Sequence, residues 1–234
     1  MLSRTPPPRP ATYAEETLVS AILGGRYPPG SALPAERQLA EALGVTRPTL
    51  REALQRLSRD GWLSIRQGKP TLVNDYRRDG GLNALTALVR HAPQLPRNFV
   101  RDLLDVRCAL APAYARAAVA RDRAAVLAAL ADAGALPDTP RAFAAFDWAL
   151  HRALTLASGN PVYTLILNGF AGFYEEMARR YFARSDARAA SRAFYASLRA
   201  AAEAGDAPRA GQVTRAMMTR SLALWAKVRM RSAR

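Results

Sequence analysis

The 234-residue chain has a single cysteine, Cys108, which excludes an intramolecular disulfide framework and any multi-cysteine metal site. It has two histidines, His91 and His151, and two donors do not hold a metal tightly. Lysine is almost missing as well: of 34 basic residues, all but Lys69 and Lys227 are arginine. No stretch approaches the ~18 consecutive apolar residues of a membrane-spanning helix. The opening Met1-Leu2-Ser3-Arg4-Thr5-Pro6-Pro7-Pro8 has no apolar core of the kind a secretory signal needs. The expectation is a cytoplasmic protein without a membrane partner. With 14 Gly, 16 Pro and 23% charged residues, the composition also argues against disorder and against a fibrous repeat.

What is abundant is positive charge. The 34 basic residues face 19 acidic ones, a formal net charge of +15, which suggests a polyanionic partner such as nucleic acid, an anionic membrane or a phosphorylated ligand. Half of the residues are hydrophobic, ordinary for a folded chain, and the length suits two modest domains of the usual ~150 residues or fewer. The charge is shared: 12 basic against 7 acidic residues up to Arg78, and 22 against 12 beyond it. DNA binding by the first part alone does not account for that.

Residues 12–75 are crowded with turn signals between short periodic runs. Thr12 and Glu15 have capping-box spacing, placing the start of a first helix near Tyr13 and its end at Gly24-Gly25. Pro34 reads as the first position of a second helix running to Leu43 and stopped by Gly44. The Thr46 hydroxyl caps a third helix over 47–60, where Leu50, Ala53, Leu54 and Leu57 recur at i, i+3, i+4, i+7 and face the core. That phase turns Arg47, Thr49, Arg51 and Gln55 outward. Two short helices joined by a glycine turn make a helix-turn-helix, and outward Arg and Thr suit base edges and phosphates. A hairpin follows, with Leu63 and Ile65 on the buried face and a tight turn at Gln67-Gly68-Lys69-Pro70. A basic, glycine-bearing tip beside a recognition helix is a wing. An isolated basic helix is more often a solvated face, but the turn before it and the hairpin after it reverse that preference.

The runs Leu33-Pro34-Ala35-Glu36-Arg37-Gln38-Leu39-Ala40, Gly44-Val45-Thr46-Arg47-Pro48-Thr49-Leu50-Arg51-Glu52-Ala53-Leu54 and Gly61-Trp62-Leu63 resemble the winged-helix domain of GntR-family bacterial transcription regulators. The resemblance implies DNA contacts at Arg37, Thr46, Arg47, Thr49, Arg51, Gln67, Gly68 and Lys69. Pro48 departs from it, since a hydroxyl residue common there would add a phosphate contact.

Residues 76–85, polar and closing on glycines, read as the linker between the domains; 1–11 and 231–234 read as flexible ends. Helical patterns continue near 82–91, 97–121, 122–133, 140–157, 161–182, 186–204 and 207–230. The fold class is therefore mainly α: an N-terminal winged helix-turn-helix with a small β-hairpin, then an all-α antiparallel bundle over 86–230 able to hold a ligand between facing helices. Here the motifs Leu104-Asp105-Val106-Arg107, Ala157-Ser158-Gly159-Asn160-Pro161, Arg180-Tyr181-Phe182-Ala183 and Ser221 with Trp225 resemble the fatty-acid-responsive members of the same family.

That resemblance implies a homodimer on palindromic operator DNA, released by long-chain acyl-CoA, with no cofactor besides the effector. The residues expected at the effector site are Leu104, Arg107, His151, Tyr174, Tyr181, Arg215, Met218, Ser221 and Trp225. Arg107 in an apolar helix needs an anionic or carbonyl partner if buried, and Arg215 and Arg220 are candidates for the phosphates. Gly169 and Gly172 leave room either for close helix packing or for an acyl chain. Met217 and Met218 depart from the pattern before Ser221. The alternative that the resemblance leaves open is a regulator sensing a metal-bound organic acid, since GntR regulators often hold a divalent metal with one Asp and three His. Asp147 and His151 have the i, i+4 spacing to begin such a site, with Tyr195 and Met217 where further ligands belong, so no metal is expected. No Ser-His-Asp, Cys-His or paired-carboxylate set supports catalysis, and an enzyme is not expected.

Overall fold

The computed structural model describes residues 9–90 and 98–232. Its contacts divide the chain into two units, Met1–Leu95 and Pro96–Arg234. Residues 1–8 of the expected flexible start, residues 233–234 of the expected tail, and His91 lie outside the described residues.

The first unit opens with α1, Pro10–Leu23. Pro10 takes the first helical position, where its fixed φ and missing N–H cost nothing. The helix thus starts earlier than Tyr13; Thr12 falls inside it, and no side chain caps its N-terminus, so the Thr12–Glu15 box is not used. Ala14, Leu18, Val19 and Ile22 form the buried stripe that packs α1 on α3, Arg47–Arg59. Between them α2, Glu36–Leu43, begins two residues later than Pro34 suggests. The reason is a pairing no local signal announces: Ala32 bridges Leu72, and the Leu33 N–H donates to the Thr71 carbonyl at 2.9 Å, holding 32–33 extended. Gly44 closes α2 in the left-handed region, φ 66°, and Thr46 caps α3 by accepting from the Thr49 N–H at 3.3 Å. Pro48 lies in the first turn, where no intrahelical N–H is lost.

The hairpin is shorter than expected: β1 is Leu63–Ser64 and β2 is Leu72–Val73, antiparallel, with Leu63 opposite Val73 and Ser64 opposite Leu72. Leu63, Val73 and Trp62 are buried, but Ile65 is 42% exposed, because the tip of the wing extends past the helices that cover Leu63.

Residues 76–85 are not an open linker. They form α4, Tyr76–Asp79, and the start of α5, Leu82–Arg90. Tyr76 lies against buried Trp62 with ring centroids 5.3 Å apart, and Asn83 Nδ2 donates to Asp60 Oδ1 at 2.9 Å. Gly61, at φ 86°, lies against the end of α4: a Cβ there would collide with the Asp79 carbonyl oxygen. Apolar stacking and polar pairing thus bind these residues to the first unit.

In the second unit the regular structure among the described residues is all helical. The expected break between 121 and 122 appears inside α6, Phe99–Ala129, as a kink at Asp122, whose Oδ1 accepts the Ala125 N–H at 3.0 Å. A 3-10 turn, Ala131–Ala135, leads to α7, Pro140–Ala157, capped by Thr139. The single helix expected over 161–182 is two, α8 (Pro161–Asn168) and α9 (Ala171–Phe182), separated at Gly169-Phe170. Then come α10, Ser185–Glu203, and α11, Ala207–Ser232, which continues past 230. The core joins Phe143, Leu150 and Leu154 of α7 to Tyr195 and Leu198 of α10, each burial of this kind stabilising by roughly 1.5–3 kcal/mol. α11 packs along α6 and comes close at buried Gly211, where a Cβ would meet the Pro112 carbonyl oxygen at 3.2 Å.

Candidate DNA-reading surface and effector cavity

On the first unit, α3 buries Leu50, Ala53, Leu54 and Leu57, so helical phase alone exposes Arg47 and Arg51 one turn apart on the opposite face. Arg37 of α2, Thr46 at the cap, and Gln67, Gly68 and Lys69 on the wing are also exposed; Thr49 is half-buried. The wing turn is closed by the Lys69 N–H donating to the Arg66 carbonyl at 3.1 Å, with Gly68 at φ 70°. Thr49 Oγ1 shares a hydrogen bond of 2.8 Å with Thr46 Oγ1, tying it to the cap. Arg51 Nε donates to Glu36 Oε2 at 2.6 Å, an ion pair joining α2 to α3. Exposed cations at the start of a helix with free N–H groups, beside a basic wing, form a surface suited to phosphates and major-groove edges. Exposed Arg66 also belongs to this wing and escaped the sequence expectation.

The second unit holds a cavity of about 100 Å³ between its helices. Its walls are chiefly apolar, from Leu103, Leu104, Leu110, Ile166, Leu167 and Phe170 among others. Seven of the nine residues expected at an effector site line it: Leu104, Arg107, Tyr174, Tyr181, Met218, Ser221 and Trp225. Two do not. His151 is fully buried behind the lining, its Nδ1 sharing a 2.6 Å hydrogen bond with the Tyr114 hydroxyl and its ring stacked near Phe194. Arg215 is exposed, as is Arg220, because on α11 they fall outside the stripe of Met217, Met218 and Ser221 that faces inward. Gly169 caps the end of α8 and so permits the break before α9.

One wall is polar. Arg107 Nη2 donates to Asp147 Oδ2 at 2.8 Å, the Tyr174 hydroxyl donates to the same oxygen, and the Tyr195 hydroxyl donates to Oδ1 at 3.0 Å. The Arg107 guanidinium also lies over the Tyr174 ring, 5.4 Å from its centroid. Burial on its own pushes the Asp147 carboxyl up, but the Arg107 charge and the donated hydrogen bonds outweigh it and hold the group at about 2. Burial, together with the Arg107 charge, presses His151 down to about 3, so it is neutral near pH 7. Burial raises the Tyr114, Tyr174 and Tyr195 hydroxyls above the usual phenol range, keeping them protonated donors. At the far side, the Tyr181 hydroxyl donates to Ser221 Oγ at 3.3 Å, and Ser221 Oγ donates to the Met217 carbonyl at 3.0 Å.

Asp147 and His151 do not fit a divalent metal. Both carboxylate oxygens are taken by Arg107 and tyrosines, His151 Nδ1 is taken by Tyr114, and a fixed guanidinium sits where a second cation would be repelled. Among the described residues no group of three or more His, Cys, Asp or Glu side chains could hold a metal ion. Sequence spacing overlooked Tyr114 and Asp147 as cavity residues. Tyr114 lies seven residues after Arg107 on the same helix face, a signal that could have found it.

A winged helix-turn-helix with an exposed arginine face, followed by a helical bundle, defines a DNA-binding transcription regulator rather than an enzyme. Residues 10–73 match the family described as bacterial regulatory proteins, gntR family, and residues 74–233 match the FadR C-terminal domain. The chain therefore belongs to the GntR family of regulators, with the FadR type of C-terminal domain. It is 45% identical over 216 residues to the "Fatty acid metabolism regulator protein" of Edwardsiella ictaluri, covering 92% of this chain and 90% of that one. To the protein of the same name from Shewanella halifaxensis it is 47% identical over 189 residues, 81% of this chain and 79% of that one. Among solved structures, Lar, which controls the expression of the Listeria monocytogenes agr system, matches with a TM-score of 0.55. That match covers 93% of this chain and 96% of Lar at 16% identity, and so speaks for the fold alone. Among the described residues no helix is long and apolar enough to cross a membrane.

Proposed function

We propose that this chain is a fatty-acid-responsive transcription regulator acting in the cytoplasm, where a homodimer binds palindromic operator DNA and long-chain acyl-CoA releases it. In the family resemblance such regulators repress genes of fatty acid degradation and activate genes of unsaturated fatty acid synthesis. The observation that carries the reading is the cavity: apolar on most of its surface and, among the described residues, charged only where Arg107 and Asp147 cancel one another. An acyl chain gains from apolar walls at roughly 25 cal/mol per Å² buried. A free carboxylate would find no uncompensated cation within. In this reading the phosphates of CoA stay outside the apolar cavity, and the exposed arginines Arg215 and Arg220 of α11 are the cations assigned to them. The relatives named as fatty acid metabolism regulators support the same assignment.

Release follows if acyl-CoA binds the form with poor DNA affinity more tightly, since a ligand shifts an equilibrium only by its differential affinity. The test is a gel shift on a duplex selected by the protein from a randomised pool, with and without oleoyl-CoA. Release by oleoyl-CoA, absent with CoA alone and with oleate, is the expected result. Retention of DNA at saturating oleoyl-CoA refutes the effector assignment.

A further inference from the structure

Glu36 is an acidic residue beside the expected DNA-reading face, where a negative charge is repelled by phosphate. Its carboxylate takes only one edge of the Arg51 guanidinium, through Nε at 2.6 Å. Among the described residues the two terminal nitrogens of Arg51 make no hydrogen bond, and they carry the paired N–H groups that read a guanine edge bidentately. Stability does not explain the pair, because the two side chains are 59% and 37% exposed and such surface pairs contribute little to folding. Arg47, one turn away on the same face, has no carboxylate partner among the described ion pairs.

We propose that Glu36 is a positioning residue for DNA reading: it holds the Arg51 side chain in one rotamer, its terminal nitrogens turned outward to a base edge. This rests on the reading that Arg51 touches DNA. Two physical effects follow. Fixing a long side chain before binding removes the ordering cost of an immobilised rotamer-rich side chain, worth about two- to tenfold in affinity. The Glu36 charge, meanwhile, weakens attraction to any phosphate nearby, so the device favours operator over random duplex. Arg47 remains a free cation for either.

The test compares wild type, Glu36→Ala, Glu36→Gln, Arg51→Ala and the double Glu36→Ala/Arg51→Ala variant. Each full-length protein is titrated against the selected operator duplex and against poly(dI–dC) across a range of salt. Glu36→Ala is expected to lose about fivefold in operator affinity while holding or gaining affinity for poly(dI–dC), a split that loss of folding does not produce. Glu36→Gln, which keeps an acceptor oxygen for Nε, restores most of the operator affinity. In the Arg51→Ala background, removing Glu36 costs no further operator affinity. Equal changes on both duplexes in Glu36→Ala, or additive losses in the double variant, overturn the positioning role while leaving Arg51 as a contact. Wild-type selectivity in Arg51→Ala overturns the contact reading itself, and the positioning role with it.

Discussion

On the reading surface Arg51 meets Glu36 at 2.6 Å with 59% of its side chain exposed; inside the bundle Arg107 meets Asp147 at 2.8 Å with 21% exposed. The same pair of chemical groups serves opposite ends. In water the attraction between unit charges at this range is worth only ~1 kcal/mol, so the Arg51 pair directs a side chain without adding much stability. Within the bundle the ions have been taken out of water, and Asp147 accepts from Arg107 and from two tyrosine hydroxyls. One region keeps its charge exposed. The other cancels its charge beside a cavity with chiefly apolar walls.

The contrast can be broken most sharply at Asp147. Asp147→Ala leaves a buried guanidinium without its anion and is expected to cost about 3–5 kcal/mol in urea unfolding of the second unit. Replacing both partners together, Arg107→Met with Asp147→Leu, should recover most of that loss. If Asp147→Ala unfolds like wild type, the pair is not the buried ion pair described. Acid probes the same network. The folded value of His151 is lowered to about 3, so between the usual ~6.5 and that value the unfolded chain takes up a proton the folded chain refuses. Stability of the second unit therefore falls as pH drops from ~6.5 towards 3. Asp147, held at about 2, adds a further loss as pH falls below its ordinary ~3.9. Urea midpoints measured at several pH values should show this slope, and His151→Gln should flatten its upper part.

Smaller effects belong to the reading surface. Arg47→Ala is expected to cost roughly 1–3 kcal/mol on the operator and to relax preference at one base pair. Equal losses on operator and random duplex would count against a base contact. Lys69→Ala on the wing should weaken both duplexes alike and reduce the salt slope by about 1, as a phosphate contact does. Arg51→Ala should change unfolding by under ~1 kcal/mol whatever it does to DNA binding, which a denaturation curve checks directly.

Much of this was legible in the chain, for reasons that differ between the units. Gly44, Thr46, the leucine phase of α3 and Gly68 act within a few residues of themselves, and each does in the structure what local sequence implied. Thr139 and Asn160 cap α7 and α8 in the same local way. The structure departs from local signals where a distant segment overrides them: Pro34 loses its helical position to the pairing of 32–33 with β2, and residues 76–85 are drawn in by Trp62 and Gly61. Cavity residues were found from family resemblance and helix phase. Tyr195 and Asp147 are 48 residues apart, and Arg107 and Asp147 are 40 apart, so no periodicity connects them.

By itself, the sequence determined the helix-turn-helix, the wing and a bundle of helices, because caps, turns and apolar phase are fixed by neighbours along the chain. Only the tertiary structure decided which arginines carry free charge. Arg47 stays in solvent because its helix buries the opposite face, whereas Arg107 is neutralised because packing of α6 on α7 brings it to Asp147 in an interior where an unpaired charge could not persist.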